Sequence, residues 1–141
     1  MSQNLERLKD AFACWNDRKG DREAIDKWMG LFAEPCTVRT MGDGRAGMEL
    51  TRLAQSKQEV RGFFESLTGS LRMIHFTPHI YVEQGDRIAV LGSTAWTNPA
   101  TGASTDTLIA TFWRFEDGKI VELYQLFDTA ELLRLMGQPV A

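Results

Sequence analysis

The stretch WRFEDGKIVELYQLFDTAELL, residues 113–133, holds an Asp-Gly pair between two runs rich in large apolar residues and then changes its period. Asp-Gly at that place marks a two-residue hairpin turn, because both turn residues need positive φ. The second run ends on an acid, Asp128. Asp128-Thr-Ala-Glu131 is a capping box, which opens a short helix over residues 130–136 and leaves Gly137 to end it. The stretch therefore reads strand, turn, strand, helix, with Asp128 where strand becomes helix.

Working outward, Gly85-Asp86 sits between two more strand-like runs, and residues 98–102 make a wider loop. Four antiparallel strands in a meander account for the chain from about residue 70 to Asp128. The first half is helical. Leu5, Leu8, Phe12 and Trp15 lie at helical spacing over residues 4–19. Gly20 ends that helix and Asp21 caps the next, which carries Ile25, Trp28, Met29 and Phe32 and stops before Pro35. A short β-like piece follows at residues 36–41, then a polar, Gly-rich segment at 42–55. Ser56-Lys-Gln-Glu59 is a capping box for a third helix through Phe63, Phe64 and Leu67. Helices grouped before strands predict a single α+β domain over residues 1–141.

Composition excludes several classes. The chain has 141 residues, 43% of them hydrophobic, so it can bury a proper core. A net charge of −3 gives no electrostatic footprint for nucleic acid. No apolar run is long enough to span a bilayer, and no basic cluster offers a membrane patch. The N-terminus, MSQNLERLKD, lacks the apolar core of a signal peptide. Cys14 and Cys36 have no metal-like spacing and read as buried reduced thiols, so a cytoplasmic location is expected.

Two-residue turns set register, and register sets which side chains share a face. Without bulges, Thr111 pairs with Tyr124, Thr107 with Asp128, and His75 with Trp96. One face then carries His75, His79, Tyr81, Thr94, Trp96, Thr107, Ile109, Thr111, Trp113, Tyr124, Leu126 and Asp128. The other carries Phe76, Ile80, Val82, Leu91, Ala95, Leu108, Ala110, Phe112, Leu123 and Phe127. Neither suits water. The mixed face suits a pocket with apolar walls and a few placed polar groups. The apolar face is expected to be covered by a second copy of the chain.

This order of elements, with Phe112-Trp-Arg-Phe-Glu-Asp-Gly-Lys-Ile120 and Tyr124-Gln-Leu-Phe-Asp128, resembles the nuclear transport factor 2-like superfamily. That group includes SnoaL-like polyketide cyclases, ketosteroid isomerases and limonene epoxide hydrolase. The resemblance implies a cone: a curved antiparallel sheet wrapped on the N-terminal helices, with a pocket inside and dimers through the outer sheet face. Residues of the isomerases do not carry over. Their tyrosine position falls on Ala13, their base near Thr40, and their second aspartate on Thr111. The Arg-x-Asp pair of the epoxide hydrolases falls near Thr94 and Trp96. Only the strand-end acid, Asp128, matches.

The candidate acid/base residues are therefore Asp128 and His75. The candidate pocket lining is Tyr124, Trp96, Thr107, Thr111 and Trp113 from the sheet, with Trp15 and Phe63 from the helices. Asp128 has a second reading as a helix cap. His75 and His79 stand about 13 Å apart on a strand, too far for one metal ion, so no metal is expected. Gly42-Asp-Gly-Arg-Ala-Gly47 matches a dinucleotide fingerprint but lacks the βαβ unit that motif needs and reads as a loop; the resemblance implies that this loop rims the pocket. The expected function is a pocket protein for a hydrophobic small molecule: a cofactor-independent isomerase, cyclase or dehydratase, or a non-catalytic binding domain.

Overall fold

The computed structural model describes residues 2–138. Helices α1 (Gln3–Asp17) and α2 (Arg22–Leu31) open the chain, followed by strand β1 (Phe32–Thr40), a 3-10 turn (Glu49–Thr51) and helix α3 (Lys57–Ser70). Strands β2 (Arg72–Gln84), β3 (Arg87–Thr97), β4 (Ser104–Glu116) and β5 (Lys119–Phe127) lead into α4 (Thr129–Leu135). Each helix starts on a side-chain cap: Ser2, Asp21, Ser56 and Asp128 accept an amide three residues on. Asp117 and Gly118 both have positive φ, as the hairpin turn requires.

The sheet has five strands in the order β1-β5-β4-β3-β2, with β1 parallel to β5 and every other pair antiparallel. The expected α+β architecture of a curved sheet against helices is present. The short piece expected at residues 36–41 is a nine-residue edge strand, so the sheet is mixed rather than purely antiparallel. Pro35 hides the strand's first half from a reading by pattern, since proline suits a strand only at an edge. β1 is such an edge.

Register explains which side chains reach the interior. β3 and β4 pair without interruption, so Ile88, Val90, Thr94 and Trp96 share the inner face with Trp113, Thr111, Thr107 and Thr105. The two outer hairpins do not run true. β2 slips once between Met73 and His75 and again between Pro78 and Ile80, while β5 carries Val121 as an extra residue. Each slip moves every residue beyond it to the opposite face. Thr111 therefore pairs with Gln125, not Tyr124, and His75 pairs with Ala95, not Trp96. Phe76, Leu123 and Phe127, expected outside, pack inside. His75 and Tyr124, expected inside, lie on the outer face.

The core is aromatic. Trp28 of α2 stacks on Trp113 of β4, with centroids 5.0 Å apart and planes within 6°. Phe12 stands edge-on to both and stacks on Phe76. Phe64 of α3 stacks on the far side of Trp28. Each such pair contributes about 0.5–1.5 kcal/mol beyond area burial, and together they hold α1, α2 and α3 against the sheet. The outer face keeps Ile80, Val82, Leu91, Leu108, Phe112, Tyr124 and Leu126 exposed.

Candidate functional site

Between the inner sheet face and the helices lies a cavity of about 100 Å³. Its β4 wall runs from Thr105 to Trp113, about 26 Å of strand at 3.3 Å per residue. So small a volume along so long a wall makes a slot. Pockets for drug-sized ligands hold about 300–1,000 Å³, whereas an apolar cavity of about 150 Å³ takes benzene. At about two thirds of that volume the slot takes one ring at most, with some give in its walls, and a ligand of several rings needs the walls to part.

Its walls are Phe12, Trp15, Trp28, Phe63, Phe64, Phe76, Trp96, Trp113 and Phe127, with Leu132 and Leu135 of α4 across the outer end. Polar groups come from a row of threonines. Thr94 Oγ1 donates to the His75 carbonyl and accepts the Trp96 indole N–H at 2.7 Å. Thr111 Oγ1 accepts the Trp113 indole N–H at 2.9 Å. In both pairs threonine and tryptophan are two apart on one strand, so their side chains share a face. Among the described residues the lining contains Asp128 and Glu131 and no basic residue.

Asp128 is exposed at the rim. Its Oδ1 accepts the Glu131 amide at 3.1 Å, so the capping reading is realised, and the residue also lines the cavity. Among the described residues no ion pair involves it, whereas Glu131 is held by Arg134 at 2.7 Å. His75 takes no part in the cavity. Its Nδ1 is 3.0 Å from Thr77 Oγ1, and its Nε2 is 3.8 Å from Asp106 on the outer face. His79 bonds Ser93 instead, and among the described residues no group of three or more His, Cys, Asp or Glu gathers as metal ligands would.

Of the residues singled out from sequence, Asp128, Trp96, Thr107, Thr111, Trp113, Trp15 and Phe63 line the cavity, while Tyr124 and His75 do not. Reasoning from sequence missed Phe76, Gln125 and Phe127, which the bulges turn inward. It also missed Thr105, which alternation two residues before Thr107 would have found.

The segment at 42–55 is organised around Thr51. The Thr51 hydroxyl accepts the Gly44 amide and donates to the Met48 carbonyl, and a Cβ at Gly42 would collide with it. The Gly-rich motif thus wraps a buried threonine. Leu50 on the same segment, with Phe63, separates the cavity from a neighbouring cleft of about 480 Å³ lined by Arg52, Gln58 and Glu59. Both cysteines are free; Cys36 is buried and burial pushes its thiol pKa up, while Cys14 is only half-buried. No helix of the described residues is long and apolar enough to cross a membrane.

The model of the SnoaL-like domain matches residues 8–123. Among curated proteins no sequence match emerges. The fold recurs in solved structures. An NTF2-like protein of unknown function from Burkholderia pseudomallei is 26% identical, with a TM-score of 0.83 over 96% of this chain and 98% of its own. TerC, co-crystallised with polyporic acid, is 22% identical, with a TM-score of 0.81 over 97% of this chain and 100% of its own. A candidate SnoaL-like polyketide cyclase from Jannaschia sp. CCS1 is 14% identical, with a TM-score of 0.78 over 98% of this chain and 94% of its own.

Proposed function

The chain belongs to the SnoaL-like domain family, and on that premise we propose that it is a small-molecule pocket protein that encloses a compact hydrophobic metabolite between sheet and helices. The observation that carries this reading is the aromatic slot, whose lining holds neutral hydroxyls, two rim carboxylates and no cation. TerC, of the same fold, was crystallised with a small molecule, polyporic acid.

Within this reading the activity is cofactor-independent proton transfer, such as isomerisation, cyclisation or dehydration, with Asp128 as the acid/base. Asp128 is the one lining carboxylate free of an ion pair among the described residues. A general base must come within hydrogen-bond reach of the proton it takes, and the rim position gives Asp128 that access to a ligand filling the slot. The second reading is a non-catalytic binding domain. The hydrogen bond that the Glu131 amide donates to Asp128 favours it, as does the absence of His75 from the cavity. Asp128→Asn separates the two, because asparagine keeps the cap and removes the base. Loss of turnover with binding retained supports the enzyme; unchanged behaviour supports the binder.

The same reading includes a homodimer in the cytoplasm. The outer sheet face exposes Leu108 at 64%, Val82 at 59% and Ile80 at 53%, with Phe112, Tyr124 and Leu126 beside them. A contiguous apolar face of this kind is characteristic of a protein interface.

A further inference from the structure

Among the described residues, two buried side-chain polar atoms lack a hydrogen-bond partner: Trp28 Nε1 and Thr105 Oγ1. Both residues line the cavity, and they are 2% and 8% exposed. A buried donor left without a partner costs about 1–3 kcal/mol, so two orphans lining the same cavity, one on α2 and one on β4, call for an explanation in what the cavity holds. The indoles differ in origin. Trp96 and Trp113 stand on strands, each with a threonine two residues back to take its N–H. Trp28 stands on α2, where a residue two back points to another side, and it has no such partner.

We propose that the Trp28 indole N–H is the anchor for the ligand's polar end, and that this end is a neutral carbonyl oxygen. The proposal rests on the pocket reading above. An indole N–H only donates, so the ligand must bring an acceptor. A hydroxyl would also bring a proton that needs a second acceptor, and the groups packed on Trp28 itself are the rings of Phe12, Phe64 and Trp113. A carboxylate would be buried without a counter-charge, since the lining contains no cation and already holds Asp128 and Glu131. A ketone, aldehyde or ester supplies the acceptor and nothing to orphan.

Acetophenone and ethylbenzene test this as probes of one ring, with and without the oxygen. The signals are the indole N–H resonances of the wild-type protein, with that of Trp28 assigned by its loss in Trp28→Phe. Acetophenone is expected to move the Trp28 N–H downfield, and ethylbenzene is not. Trp28→Phe is expected to weaken acetophenone about tenfold more than it weakens ethylbenzene, which loses only packing against the indole. Equal losses for both probes, or an unmoved Trp28 N–H while both bind, overturns the anchor and leaves the pocket standing. If neither probe shifts any indole in the wild type, anchor and pocket reading fall together. If Trp28→Phe does not fold, the wild-type shifts alone decide, with assignment by through-bond experiments.

Discussion

Leu123 of β5 lies opposite Trp113 of β4, whereas across the same hairpin Phe115 lies opposite Ile120. The extra residue between these pairs, Val121, puts Leu123 in the core and turns Tyr124 out beside Phe112. Adjacent residues of one strand therefore face different fates, and so do mutations at the two faces.

Leu108→Glu places a charge on the exposed outer face. Folding stability of the protomer is expected to change by no more than about 0.5 kcal/mol, while light scattering shows monomer in place of dimer. Leu123→Glu puts the same charge at a fully buried site. That variant is expected to lose about 4 kcal/mol or more and to unfold. A wild-type monomer at micromolar concentration contradicts the dimer.

Asp128 combines a cap with a rim position. Asp128→Ala is expected to lose about 1 kcal/mol through the orphaned Glu131 amide, whereas Asp128→Asn stays near wild type in thermal or denaturant melts. A turnover defect in Asp128→Asn without a melting change is the signature of the catalytic reading. Equal melting losses in both variants would mean that the charge, not the cap, holds α4.

Leu50 belongs to both the cavity and the cleft beyond it. Leu50→Ala is expected to join the two volumes and admit naphthalene, measured by calorimetric titration, where the wild type takes only one-ring probes. Leu50 is part-exposed, so the stability cost is expected near the low end of the usual 2–5 kcal/mol for such truncations. Naphthalene binding equally to both proteins contradicts this partition.

Tyr81 packs edge-on to Phe12, and burial pushes its phenol pKa up to about 12. In the unfolded chain it titrates near 10. The folded state thus holds the proton more tightly. Its contribution is full below about pH 10 and is lost as the pH rises through about 12. Stability is expected to fall over that window more steeply in the wild type than in Tyr81→Phe. Ultraviolet difference titration of the same pair is expected to show the late phenolate.

What could be read from sequence divides along the strands. β3 and β4 pair without a slip, so Trp96, Thr107, Thr111 and Trp113 could be placed by alternation alone. β2 and β5 bulge, and a bulge leaves the alternation on either side of it intact, which is why His75 and Tyr124 went to the wrong face. One signal was available: Gly92 sits mid-strand, where a glycine marks a bulge or a close backbone approach. A Cβ there would come within 2.6 Å of the Thr77 carbonyl oxygen, beside the second slip of β2. The helix caps Asp21, Ser56 and Asp128 were legible because each is a local contact, while Ser2, which caps α1, was not singled out. The closing of the slot by α4 was not, since it depends on where β5 ends in space.

The most direct measurement is a crystal structure of the protein soaked with ethylbenzene. The ring is expected inside the slot, against Phe12, Trp28, Phe64 and Trp113. A slot that stays empty while the ring settles on the outer face at Leu108 and Phe112, or in the cleft of Arg52 and Gln58, would contradict the account of this cavity as the binding site.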